Sequence, residues 1–188
     1  MMLHIEQGWL VDKNVRQKLS PNFGSRPPIP ITLLVIHNIS LPPGEFGGGY
    51  IDQLFTNQLD ATQHASFEQI ADLQVSAHLL IDRQGVITQY VSFLNRAWHA
   101  GKSLFGGREN CNDFSIGIEL EGTDDQPYTE VQYWQLTDVG RCLLQNYPGI
   151  TVENIVGHSD IAAGRKTDPG PSFDWKKFHQ LLAGGRVK

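Results

Sequence analysis

FSIGIELEG, residues 114–122, alternates strictly between two kinds of side chain. Phe114, Ile116, Ile118 and Leu120 fall on one side; Ser115, Gly117, Glu119 and Glu121 fall on the other. Successive side chains of a strand point to opposite faces, so this spacing predicts a strand with one face in a core. The second face, with a glycine and glutamates, reads as the floor of a groove rather than as a second core. ITLLVIHNI (31–39) is a β-branched apolar run and predicts a buried strand with His37 near its C-terminal end. VENIVG (152–157) predicts another, which delivers His158 into a loop. VSAHLLID, RQG and VITQYVSF over 75–93 read as a β-hairpin.

Helices are expected over 51–58, 67–73 (FEQIADL), 129–149 and 173–183. The strongest is 129–149. Thr129 and Gln132 make a capping-box pattern, Leu136, Val139 and Leu143 keep helical spacing, and Pro148-Gly149 ends it. Residues 1–30 read as an irregular lead-in, proline-rich from 21 onward, and 184–188 as a frayed tail. SLPPGEFGGGY (40–50) reads as a Gly/Pro loop bordering a site. The expectation is one domain over 1–188 of the α/β (α+β) class, a central mixed β-sheet flanked by helices.

A chain of 188 residues with 40% apolar and 19% charged residues has an ordinary globular balance. The formal charge of −5 argues against a general nucleic-acid or membrane-surface binder. Cys111 and Cys142 form no CxxC pair and fit free thiols in a reducing compartment. The N-terminus lacks the pattern of a signal peptide, and no apolar run approaches membrane-spanning length. These features lead to the expectation of a soluble, cytoplasmic monomer.

His37 and His158 both sit where an apolar strand runs out into a loop. Asp168 follows ten residues after His158, with Lys166 before it and Pro169-Gly170-Pro171 after it. Two histidines and a carboxylate with an open fourth position are a ligand set for catalytic zinc, and zinc lowers the pKa of a bound water to about 7. A stiff Pro/Gly loop suits a ligand that must be held tightly. Glu119 is then the candidate base and Lys166 the candidate oxyanion partner. Each has a plain alternative: a satisfied core histidine, a turn cap, a solvated strand face, a surface lysine. Of the other histidines, His64 reads as solvent-facing and His78 as a core or groove-wall residue. Cys111 has no basic neighbour in sequence to activate it as a nucleophile.

VIHNISLPPGEFGGGYI, VSAHLLI, RAWHAG, CNDFSIGIELEGTD and GHSDIAAGRKTDPGPSFDW together resemble the zinc N-acetylmuramoyl-L-alanine amidases, the family that includes phage T7-type lysozyme amidases and animal peptidoglycan-recognition proteins. The resemblance runs from about residue 8 to 178. It implies zinc ligands at His37, His158 and Asp168, a catalytic glutamate at Glu119 and a catalytic lysine at Lys166. It implies a substrate groove lined by Asn38, Trp98 and His99. The implied reaction is hydrolysis of the amide between a muramyl lactyl group, in 1,6-anhydro form, and L-alanine. Soluble anhydro-muropeptides undergoing recycling are the implied partners, because a cytoplasmic enzyme does not meet the intact wall. The runner-up is a peptidoglycan-binding module that does not cut; the full set of ligand residues argues against it. The sequence departs from the pattern at Gln74 and Asn110, where the resemblance implies arginines contacting stem-peptide carboxylates. An amide cannot replace a bidentate, charge-assisted arginine pair.

Overall fold

The computed structural model describes residues 3–184. Its strands are β1 (His4–Glu6), β2 (Trp9–Val11), β3 (Val15–Gln17), β4 (Phe23–Ser25), β5 (Leu33–Ile39), β6 (Leu79–Ile81), β7 (Ile87–Gln89), β8 (Asn95–Ala97), β9 (Leu104–Phe105), β10 (Arg108–Glu109), β11 (Ser115–Glu121) and β12 (Ile155–Gly157). The helices are α1 (Tyr50–Phe55), α2 (Glu130–Asn146), α3 (His158–Ile161) and α4 (Trp175–Leu182). Six strands form the central sheet in the order β12-β5-β11-β6-β7-β3. All of its pairs are parallel except β6 with β7, so the sheet is mixed, as expected.

The alternation of β11 divides the molecule. Ile116, Ile118 and Leu120 join Leu34, Ile36 and Ile155 beneath Leu136, Val139 and Leu143 of α2 and Phe178 of α4. The opposite face carries Leu33 and Val35 against Ile161 and, farther along, Leu80 against α1, so it is packed where a groove floor was expected; Phe114, just before the strand, joins this side and not that of Ile116. Helix α2 begins with the expected capping box: the Thr129 hydroxyl accepts from Gln132 N–H, and Gln132 Oε1 accepts from Thr129 N–H at 3.0 Å. Gln132 Nε2 also donates to the carbonyls of Glu121 (2.9 Å) and Ile81 (3.2 Å). The cap thereby ties the helix to the ends of two central strands.

Three expectations need correction. Residues 4–25 are not an irregular lead-in; they carry four short strands. Gln7 and Gly8, both at positive φ (50° and 82°), make a two-residue hairpin turn between β1 and β2. FEQIADL (67–73) is not an α-helix. Two 3₁₀ turns, Ala61–Gln63 and Ala65–Phe67, precede a single helical bond from Ala71 N–H to the Phe67 carbonyl. Phe67 is buried but Leu73 is exposed, so the segment lacks the apolar stripe that holds a short helix in place. The strand expected over 152–157 is shortened, because Val152–Asn154 form a 3₁₀ turn. Most of the expected frayed tail, 185–188, lies outside the described residues. Among the described residues no helix is long and apolar enough to cross a membrane.

The lead-in also supplies an unexpected structural cation. Arg26 inserts its guanidinium beneath the β8–β11 region and donates to the carbonyls of Phe93 (3.0 Å), Asn112 (3.0 Å), Asp113 (3.2 Å) and Ser115 (2.7 Å). Burial lowers its pKa to about 10, which leaves it charged at neutral pH. Removing this fork strands several carbonyls that have few other partners. Arg26→Met is expected to destabilise the fold by about 3 kcal/mol or more. The check is the urea midpoint; an unchanged midpoint would show that water replaces the guanidinium.

Candidate active site

Strand register places three of the expected groups side by side. Glu119 pairs with His37 in the β11–β5 ladder, so both project from the face away from α2. β12 runs in parallel register with β5 as far as Gly157 opposite Ile36. The next residue, His158, therefore falls beside His37, with ring centroids 4.4 Å apart. Asp168 comes from the loop after α3. Its backbone carbonyl accepts from Ser159 N–H at 3.0 Å, and Pro169 packs so closely on Gly157 that a Cβ there would meet Pro169 Cδ at 2.8 Å. Asn38 Nδ2 donates to the Pro169 carbonyl (3.1 Å) and to Asp124 Oδ1 (2.8 Å), and Tyr128 OH donates to the same Pro169 carbonyl at 2.7 Å.

The result is a tight donor cluster. Asp168 Oδ2 lies 3.1 Å from His37 Nδ1 and 3.0 Å from His158 Nδ1. Potential ligand atoms of the three residues lie within 4.8 Å of one another. His158 Nε2 faces the Ala100 carbonyl at 3.1 Å, and a proton held there leaves Nδ1 with a lone pair for a metal. His37 Nε2 faces His99 Nδ1 at 2.9 Å and can likewise give its proton away from the cluster. Without a metal the two Nδ1 atoms can hydrogen-bond Asp168 Oδ2; with both ring protons on Nε2 they present two lone pairs beside the carboxylate oxygen. This donor set fits a zinc ion.

The ionisation states agree with that fit. Burial lowers the His37 pKa to about 4, with the Asp168 hydrogen bond opposing, so the ring is neutral at pH 7. Burial alone would raise the Asp168 carboxyl, but its bonds to His158 and His37 hold it well below the usual carboxylate range. Neutral imidazoles and an ionised carboxylate are the metal-ligating forms.

Glu119 is buried, and its Oε2 has no hydrogen-bond partner. Burial first, and then the charge of Asp168, push its carboxyl well above the ordinary range; the charge of Lys166 pulls it down. An unpartnered buried carboxylate beside a cluster of metal-ligating atoms is suited to proton transfer. Lys166 itself is exposed on the turn after α3, its N–H bonded to the Ala162 carbonyl at 3.1 Å.

Of the other residues expected to line a groove, His99 and Asn38 adjoin the cluster, and Trp98 precedes His99 in the chain. Half-buried Trp98 is joined to Ser76 by its backbone, through N–H to Ser76 Oγ (3.1 Å) and carbonyl to Ser76 N–H (3.2 Å). His99 stands directly behind His37, and Asn38 braces the loop that carries Asp168. Gln74 and Asn110 are both exposed, Asn110 at φ 57°. Arg165 donates to the carbonyls of Ala100 and Lys102, both at 2.7 Å, and Arg108 lies over the Phe114 ring at 3.9 Å. His64 is exposed, and His78 is a buried wall residue whose Nδ1 accepts from Gly117 N–H at 3.0 Å. Sequence reasoning did not find Asn112, whose Oδ1 accepts from both His99 N–H (3.1 Å) and Ala100 N–H (2.8 Å). No spacing rule marks a side chain that acts only on backbone.

A sheet of this topology with two histidines, an aspartate and a buried glutamate at one face defines a class. The family described as N-acetylmuramoyl-L-alanine amidase matches residues 27–171, and the chain belongs to it. The protein is thus an amidase, a hydrolase of the N-acetylmuramoyl-L-alanine amidase type. Within that family it is 58% identical to the 1,6-anhydro-N-acetylmuramyl-L-alanine amidase AmpD of Escherichia coli (strain K12), over 95% of this chain and 97% of that one. It is also 58% identical to the AmpD of Enterobacter cloacae, over 95% and 94% of the two chains. A crystal structure of a selenomethionine AmpD derivative superposes with a TM-score of 0.91 at 56% identity, covering 95% of this chain and 98% of the other. The E. coli amidase AmiD in complex with anhydro-N-acetylmuramic acid-L-Ala-D-γ-Glu-L-Lys gives a TM-score of 0.60 at 30% identity, over 98% of this chain and 66% of that chain.

The orphaned Glu119 carboxylate has a cost to stability with a definite pH dependence. Its folded pKa is raised, so the native state disfavours ionisation once pH exceeds the unfolded value of about 4.3. Glu119→Gln in metal-free protein is therefore expected to match wild type near pH 4. Its advantage should grow as pH rises towards the folded pKa, reaching about 1–3 kcal/mol. Denaturant titrations at both ends of that range provide the check; a pH-independent difference would place a counter-charge on Glu119.

Proposed function

We propose that this amidase is zinc-dependent and cleaves the amide between the lactyl group of 1,6-anhydro-N-acetylmuramic acid and L-alanine in soluble muropeptides, in cytoplasmic peptidoglycan recycling. The observation that carries the reading is the convergence of His37 Nδ1, His158 Nδ1 and Asp168 Oδ2 next to the unpartnered Oε2 of Glu119. Identity of 58% to enzymes named for the anhydro-muramyl substrate supports the substrate class.

His37, His158 and Asp168 would hold the zinc, which when bound supplies Lewis-acid polarisation of the scissile carbonyl and acidifies the attacking water. Glu119 Oε2 takes the proton of that water and returns it to the leaving nitrogen of L-alanine. Its raised pKa suits both halves of the transfer, because a base that is too weak cannot accept the proton and one that is too strong cannot release it. The Lys166 ammonium, at the exposed rim, steadies the negative charge that develops on the carbonyl oxygen. Trp98 offers an apolar face for the sugar, and Asn38 and His99 border the groove. The protein acts as a monomer on small soluble substrates, not on nucleic acid or a membrane.

Mass spectrometry of a purified anhydro-muropeptide after incubation with zinc-loaded protein tests the reaction: loss of the intact species, with free peptide and anhydro-sugar, is the expected result. Elemental analysis should find one zinc per chain, lost in His37→Ala, His158→Ala or Asp168→Ala. Glu119→Ala and Lys166→Ala should keep the metal while kcat falls about 10²–10³-fold. Near-wild-type turnover in either variant would remove that residue from the mechanism.

Specificity should lie at the sugar rather than the peptide end, since Gln74 and Asn110 offer no guanidinium and Arg165 is already engaged by carbonyls. Substrates with and without the terminal diamino-acid carboxylate should differ in kcat/KM by less than about tenfold, or about 1.4 kcal/mol. Anhydro and hydrated muramyl forms should differ by more. Equal rates on the two sugar forms would leave a general muramyl-alanine amidase.

A further inference from the structure

The two histidines of the cluster are oriented from one place. His158 Nε2 is 3.1 Å from the Ala100 carbonyl, and His37 Nε2 is 2.9 Å from the ring Nδ1 of the preceding residue, His99. His99 passes the pattern on: its Nε2 lies 3.2 Å from Ser115 Oγ. In the tautomer with Nε2–H directed at Ser115 Oγ, His99 Nδ1 accepts from His37 Nε2–H and leaves His37 Nδ1 with a lone pair. The ring lies flat over β11 at Gly117, where any Cβ would come within 2.4 Å of His99 Cγ. That contact is a physical reason for glycine in the middle of the SIGIELE strand.

The backbone of the same two residues is clamped by one side chain. Asn112 Oδ1 accepts both His99 N–H and Ala100 N–H, at 3.1 and 2.8 Å. Such a double acceptance anchors the N–H groups on either side of the His99 Cα and so fixes the backbone that carries the His99 ring and leads into Ala100, whose carbonyl also accepts from Arg165 at 2.7 Å.

We propose that Asn112 and His99 are positioning residues for metal binding: the Asn112 amide holds the His99–Ala100 segment as a single brace that sets the tautomers of both His37 and His158. Asn112 touches neither the ligands nor the groove, and acts through this segment. Groups that orient ligating histidines typically contribute about tenfold to a hundredfold in metal affinity. The inference rests on the zinc reading of the site.

The experiment is competition of zinc against a chromophoric chelator, with thermal melts of each metal-free variant alongside. Asn112→Ala and His99→Leu are expected to weaken zinc binding by about tenfold to a hundredfold. Asn112→Asp, which keeps an oxygen acceptor, and His99→Asn, whose Oδ1 can stand in for Nδ1, should restore most of that affinity. A variant that merely loosened the fold would lower the metal-free melting temperature and would not be rescued by a like acceptor. Tight zinc binding by wild type together with unchanged affinity in Asn112→Ala and His99→Leu would overturn the brace alone. Equal weakening in Asn112→Ala and Asn112→Asp would do the same. Absence of zinc binding in wild type would overturn the zinc reading and the brace with it.

Discussion

The parallel register of β11, β5 and β12 is the constraint on which the site depends. Side chains on a strand alternate, so a slip of one residue would turn His37 and Glu119 towards α2 and bring Ile36 and Ile118 into the groove. What prevents it is the opposite face. Leu34, Ile36, Ile116, Ile118, Leu120 and Ile155 are all buried beneath α2 and α4. Each stabilises the fold by about 1.5–3 kcal/mol when buried. The face that carries His37 and Glu119 is also packed, with Leu33 and Val35 against Ile161 and Phe114 and Leu80 against α1, so both faces oppose a slip.

That geometry is uncomfortable in itself. A carboxylate oxygen without a partner, that of Glu119, is held in a buried space beside Asp168 and two imidazoles, where its charge lacks solvation. The strain is contained by groups outside the cluster. Asn38 and Tyr128 fix the Pro169 carbonyl, Gly157 admits the Pro169 ring, and the Ala100 carbonyl receives both His158 and Arg165. Few of these groups carry charge, and they act mainly on backbone. They can therefore hold the loop without competing electrostatically with the site.

The sequence showed the strands whose patterns are long. β5 and β11 each run seven residues, and helix α2 announces its own start through Thr129 and Gln132. It pointed to the cluster too, because His37, His158 and Asp168 sit at strand ends and in a Pro/Gly loop, and the structure brings their ligand atoms within 4.8 Å of one another. What it missed follows from length and from partner type. Strands of three residues, such as those in 4–25, fall below any periodicity window. FEQIADL has helical composition, but tertiary packing buries only Phe67 fully, and propensity without a packed stripe does not decide the outcome. Asn112 and Arg26 bond mainly to backbone, and backbone partners leave no imprint in side-chain spacing.

The ligand set is asymmetric in how it is held. His37 is part of a central strand, and His158 follows directly on another, so both start from backbone that the core keeps in place. Asp168 arrives on a loop whose attachments are a Ser159 hydrogen bond, the Pro169 contacts and the histidines themselves. Lys166, two residues before it, is carried on the same loop and is exposed. Asp168 and Lys166 therefore share one backbone segment, tied by Lys166 N–H to the Ala162 carbonyl and by Gly170 N–H to the Thr167 carbonyl. Under the zinc reading proposed above, ligation by Asp168 and the placement of Lys166 are linked through this one loop. Two members of the cluster are thus set by the sheet, and the third depends on the packing of Pro169 against Gly157 and on the carbonyl bonds made by Asn38 and Tyr128.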